Sequence, residues 1–186
     1  GIEDSRDYSI SAAELTAAGV GAIVATVDGF VSEQEREIEW LATFRGRFED
    51  YDAQLTDGRL TGTVRVASVK VYDENLEAHL QSPDFFDAEL HPELRFESHE
   101  LAIGDDGTVT LEGDLAIKGT TRPVTATGRY VHVEADMAGG ERIGLQLDAT
   151  VDRREFGLEW NAPLPKGGFA LGNDVTLVVA LELVKA

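Results

Sequence analysis

At 186 residues the chain has the length of a single domain, and with 42% apolar residues it can bury a real core. It has no cysteine, which excludes a disulfide framework, a thiol nucleophile and a cysteine metal site. Its formal charge of −19, from 35 acidic against 16 basic residues, repels nucleic acid and anionic lipid and excludes both as main partners.

No run of eighteen apolar residues occurs, so no stable membrane insertion by a helix is expected. The first residue is Gly and no signal-peptide pattern follows it. The expected compartment is therefore the cytoplasm, or the periplasm or exterior with a signal peptide already removed. An acidic surface with only four Lys fits a salty habitat, but ordinary solubility is the reading preferred.

Residues 1–10 are polar. Ser11-Ala12-Ala13-Glu14 is a capping box and Gly19 stands where a helix would end, which predicts a short helix from Ala12 to Ala18. Val20 to Val31 is rich in β-branched residues and reads as a strand, while the acidic Ser32–Glu39 stretch reads as a loop or a turn of helix. From Ile38 the chain alternates. Phe44, Gly46 and Phe48 share one face, and Tyr51, Ala53 and Leu55 stay inward only after a slip, which predicts a bulge near Glu49-Asp50. Asp57-Gly58 signals a two-residue hairpin. The return strand, Leu60 to Tyr72, also changes phase, from Leu60, Val64 and Val66 to Val69 and Val71. Two adjacent strands that both slip imply the bending that barrel closure needs.

Asp73-Glu74-Asn75 opens a second short helix to about Gln81, ended by Pro83. The Phe85-Phe86 pair behind it is expected to lie across one barrel opening with its rings inward. Leu94–Ile103 and Thr108–Lys118 read as strands joined at Asp106-Gly107, with Val109, Leu111, Gly113, Leu115 and Ile117 on the inner face. Gly119 to Pro123 reads as a turn, Val124–Glu134 as the strand running back, and Gly139-Gly140 as the next turn. Ile143, Leu145, Leu147, Ala149 and Val151 then alternate with polar residues, and the charged, aromatic corner Arg153–Asn161 follows. Beyond the Pro163–Gly168 connection, Val175, Leu177, Val179, Leu181 and Leu183 share one side of a last strand. The count is about eight antiparallel strands and two short helices, an all-β barrel whose interior holds side chains or one small ligand. Ten-residue strands would make it roughly 33 Å long.

Three segments together resemble the YceI-like family of lipid-binding, lipocalin-like barrel proteins. They are Ala78–Asp87 with His91-Pro92 and Phe96-Glu97-Ser98, then Gly113–Val124, then Arg153–Asn161 with Gly172–Val175 behind it. Phe44–Phe48 is similar to the family's first Gly-aromatic strand. The likeness covers residues 43–186. Residues 1–42 depart from it, because the family opens with an aromatic strand, an Asp and a His-Ser pair, and no His precedes His79 here. The resemblance implies an eight-stranded lipocalin-like barrel that binds a polyprenyl lipid or an isoprenoid quinone, often as a homodimer. It implies an apolar lining drawn from Phe48, Tyr51, Phe85, Phe86, Phe96, Leu115, Ile117, Leu145, Leu147, Phe156 and Trp160. A prenyl tail suits such a tube physically, since each buried methylene contributes about 0.8 kcal/mol without any polar contact.

The residues themselves leave Phe85, Phe86, Phe156 and Trp160 open between plugging a filled interior and lining a ligand. His79, His91, His99 and His132 have no metal-ligand spacing and read as surface or capping residues, with His79 a head-group candidate. Most arginines are expected to pair with neighbouring acids. Arg153 and Arg154 are head-group candidates because Phe156 and Trp160 are adjacent. No nucleophile elbow, phosphate loop or nucleotide fingerprint occurs, so neither catalysis nor a catalytic cofactor is expected. The competing expectation is a stress-related structural or interaction barrel with a filled interior.

Overall fold

The computed structural model describes residues 8–11, 22–34, 37–39, 42–135, 137, 139–165 and 167–185. The predicted helix over Ala12–Ala18 lies outside them. The strands in chain order are β1 (Tyr8–Ser11), β2 (Ala22–Gln34), β3 (Glu37–Glu39), β4 (Ala42–Phe48), β5 (Tyr51–Thr56), β6 (Arg59–Arg65), β7 (Val69–Lys70), β8 (Glu93–Ile103), β9 (Thr108–Ile117), β10 (Thr120–Val133), β11 (Arg142–Asp152) and β12 (Phe169–Lys185). One α-helix, α1 (Glu74–Gln81), stands among the described residues.

All pairings are antiparallel, and the ladder returns to its start. β12 pairs β11 on one side. Its other side is shared, with residues between Phe169 and Ala180 on β2 and Val184-Lys185 on β1. β2 pairs β4 and β1 pairs β5, which are successive pieces of one bent strand. From β5 the ladder runs through β6, β8, β9, β10 and β11 back to β12. The expected antiparallel barrel is thus present as a curled sheet, divided among the described residues into twelve strand segments in place of the eight strands expected.

The extra segments come from bends. Phe48 and Tyr51 are both buried three residues apart, which a period of two forbids without a break. The break falls at Glu49-Asp50, where Glu49 N–H donates to the Ser68 carbonyl and the Asp50 carbonyl accepts from Arg65 N–H. A 3-10 turn over Val66–Ser68 does the same for the facing strand, so Val66 and Val69 both point inward.

Three expectations are corrected. The described residues of the Ser32–Glu39 stretch are neither loop nor helix, because Ser32 to Gln34 pair with Glu39 to Glu37 as antiparallel strands. The turn expected over Gly119–Pro123 is only the pair Lys118-Gly119, both at positive φ, and β10 begins at Thr120. Pro123 lies within β10 opposite Asp114, where β10 has β9 on one side and has not yet met β11, whose pairing starts at Thr127. A proline survives there because its missing N–H faces the unpaired edge. The last strand starts at Phe169, six residues before Val175.

α1 starts where expected. Asp73 Oδ1 accepts the N–H groups of Asn75 and Leu76 at 2.7 and 3.4 Å, capping the first turn. The apolar interior divides in two. One packed cluster holds Tyr51, Leu55, Leu60, Val109, Ile143 and Leu183. The other, at the α1 end, gathers Phe48, Val66, Phe85, Ile117, Phe156 and Leu158.

Candidate ligand-binding cavity

Between the two clusters lies a cavity of about 210 Å³ whose wall is carbon throughout. An ordered water needs about two to four polar partners, so this space is hydrocarbon territory. The wall exists because inward positions on eight strands, β4 to β6 and β8 to β12, carry apolar side chains.

Seven of the eleven sequence-derived lining residues reach it: Phe48, Phe86, Phe96, Leu115, Ile117, Leu147 and Phe156. The other four stand elsewhere. Tyr51 and Leu145 belong to the packed cluster, and burial pushes the Tyr51 hydroxyl's pKa upward. Phe85 and Trp160 belong to the cap at the α1 end. Sequence reading missed the contribution of β12, where Val175, Leu177, Val179 and Leu181 face the cavity, and of Ala149 and Val151 on β11. The signal was available, since strict alternation marks all six as inward.

The cap is a ring cluster. His79 of α1 sits edge-on to Phe85 and to Trp160, at centroid distances of 4.9 and 4.7 Å, and Phe85 lies 5.4 Å from Trp160. His79 Nε2 is 3.0 Å from Asp84 Oδ2. Lys118 Nζ donates to the Pro83 carbonyl at 2.6 Å, tying this segment to the β9–β10 turn.

The two arginines separate. Arg153 is 4% exposed and borders the cavity. Its Nε donates to the Gly172 carbonyl at 2.8 Å and its Nη1 to the Leu158 and Trp160 carbonyls at 2.6 and 2.8 Å. Burial lowers its pKa from the ordinary arginine value. Arg154 is exposed and does not border the cavity; its Nη2 pairs with Asp152 Oδ2 at 2.6 Å. Among the described residues no group of three or more His, Asp or Glu side chains could hold a metal ion, and no helix is long and apolar enough to cross a membrane.

The sequence profile of the YceI-like domain matches residues 22–183. The chain belongs to the YceI-like family. The match reaches 21 residues further toward the N-terminus than the motifs that suggested it, taking in β2. Among curated relatives, this YceI-like protein is 30% identical over 146 residues to the UPF0312 protein of Staphylococcus epidermidis, covering 74% of this chain and 82% of the relative. It is 28% identical over 167 residues to a UPF0312 protein of Staphylococcus aureus, covering 84% and 95%. Among solved structures, the Campylobacter jejuni YceI protein superposes with a TM-score of 0.70 at 22% identity, covering 83% of this chain and 92% of the other. A polyisoprenoid binding domain from Saccharophagus degradans, implicated in plant cell wall breakdown, gives 0.63 at 12% identity, covering 98% and 100%. At these identities the solved structures establish the fold of this YceI-like chain.

Proposed function

We propose that this protein binds the tail of an isoprenoid lipid, a polyprenyl alcohol or phosphate or an isoprenoid quinone, inside the barrel, and stores or carries it without chemistry. The observation that carries the reading is the carbon-walled cavity between two packed clusters. Such a space stays dry and rewards any hydrocarbon that enters it. The polyisoprenoid-binding relative in Saccharophagus degradans supports the ligand class. The surface that the cavity presents is carbon even where Arg153 borders it, so the head group stays outside, toward the α1 end, where His79 packs on Trp160.

The test is to incubate purified protein with a polyprenol or a long-chain quinone, remove free lipid by gel filtration and record a native mass spectrum. A one-to-one lipid complex is expected. Protein that emerges at its bare mass with every lipid offered overturns the reading.

A further inference from the structure

The inward residues of β12 divide at one point. Val175, Leu177, Val179 and Leu181 face the cavity; Leu183, next on the same side, does not and is fully buried. The same break recurs on β11 and β9. Leu147 borders the cavity on β11 and Leu145 does not; Leu111 borders it on β9 and Val109 does not. Beneath that level Leu55, Val109, Ile143, Leu145 and Leu183 are packed to within 2% of full burial. The tube is blind.

Its floor is the layer of Leu111, Leu147 and Leu181, with Ala126 of β10 directly opposite Leu111. From Val175 to Leu181 the cavity follows β12 for about 20 Å, or about 15 Å along the axis of a barrel with ordinary strand tilt.

Building on the isoprenoid reading above, we propose that the layer Leu111, Leu147 and Leu181 gauges tail length, so that the volume of the side chains there fixes how many isoprene units the protein accepts. Along an apolar wall every added methylene inside the tube contributes alike, so affinity climbs with length. Once the tail touches the floor, further units must protrude at the mouth and contribute little. The floor does not give way, because the interior behind it is packed at crystal-like density and resists added volume.

The experiment is a binding series with geraniol, farnesol, geranylgeraniol and longer prenyl alcohols, read by displacement of a fluorescent fatty acid. In the wild type, affinity is expected to rise about tenfold or more per unit up to a break, then stay flat. The double variant Leu111→Ala/Leu181→Ala, which removes carbon equal to about one unit, is expected to move the break one unit longer. Ala126→Leu, which only fills open space in the same layer, is expected to move it one unit shorter and keeps the test decisive if the double variant does not fold. A break that stays put in the folded variants, or a wild-type affinity that never levels off, overturns the gauge alone. Failure of every alcohol to bind the wild type overturns the isoprenoid reading, and the gauge with it.

Discussion

The Arg153 guanidinium holds the Trp160 carbonyl at 2.8 Å, and through it the cap is tied to the barrel wall. The same side chain holds the Leu158 and Gly172 carbonyls, so one buried cation gathers the corner after β11 and the start of β12. Removing it strands three acceptors. Arg153→Ala is expected to destabilise by roughly 3 kcal/mol, since each buried carbonyl left unpaired costs about 1–3 kcal/mol and part of that is recovered by water. Arg154→Ala, which breaks an exposed pair with Asp152, should leave the midpoint close to that of the wild type. Urea unfolding of the two variants measures the difference, and equal midpoints would refute the assignment.

Much of this architecture could be read from the sequence. Alternation marked the inner faces of β9, β11 and β12, Asp57-Gly58 marked a hairpin whose two residues have φ of 52° and 75°, and Asp73 marked the start of α1. Pro123 was misread as a turn because a proline signals a breaker, and only the pairing map reveals that its strand lacks a second neighbour there. The limits of the cavity were not legible at all. Leu145 and Leu147 sit two residues apart on one face with the same side chain, yet one is packed and the other borders open space. Which is which depends on the distance to the opposite wall, and local pattern does not contain that distance.

Curvature depends on glycines that admit a neighbouring backbone. A Cβ at Gly128 in β10 would stand 1.7 Å from the Gln146 carbonyl oxygen, a contact with backbone that no rotamer relieves. At Gly62 in β6 the nearest atom would be 3.8 Å away. Gly128→Ala is therefore expected to cost about 3 kcal/mol or more, at or beyond the upper end for overpacking. Gly62→Ala should stay within about 1 kcal/mol of wild type. Thermal melts of both proteins distinguish them, and a Gly128→Ala melting curve overlaying the wild type would contradict the close approach of β10 and β11.

α1 is the weakest element at the cavity's capped end. It is eight residues long and contains no buried residue, so tertiary contact does little to hold it. Its attachment runs through the His79, Phe85 and Trp160 rings, with the half-buried Leu80 against the cap cluster and Glu77 Oε1 accepting the Val71 N–H at 3.1 Å. Amides of residues 77–81 are expected to exchange with solvent at least about a hundredfold faster than those of β11, by local opening that leaves the barrel intact. Trp160→Ala should raise the α1 rate further and leave β11 unchanged. Hydrogen exchange read by mass spectrometry gives both rates, and equal protection of α1 and β11 would rule out a cap that opens on its own.

Acid should loosen the corner that Arg153 organises. The Arg154 side chain hydrogen-bonds the Asp152 carboxylate, and the Arg154 backbone N–H adds to this, so the carboxyl titrates below its usual range. A depressed pKa in the folded state means that the stabilisation is fully present above the unfolded value, near pH 4, and is lost as pH falls through the folded one. Asp152→Asn keeps an acceptor for the Arg154 N–H but cannot carry the charge. The wild type is therefore expected to exceed the variant by no more than about 1 kcal/mol at pH 7, because the pair is partly solvated. The gap should close progressively below about pH 4. Asp106, held low by the hydroxyl and N–H of Thr108, is common to both proteins and cancels in the difference. Chemical denaturation from pH 7 down to pH 3 measures the gap directly, and one that widens in acid would show that the sign of the Asp152 contribution is wrong.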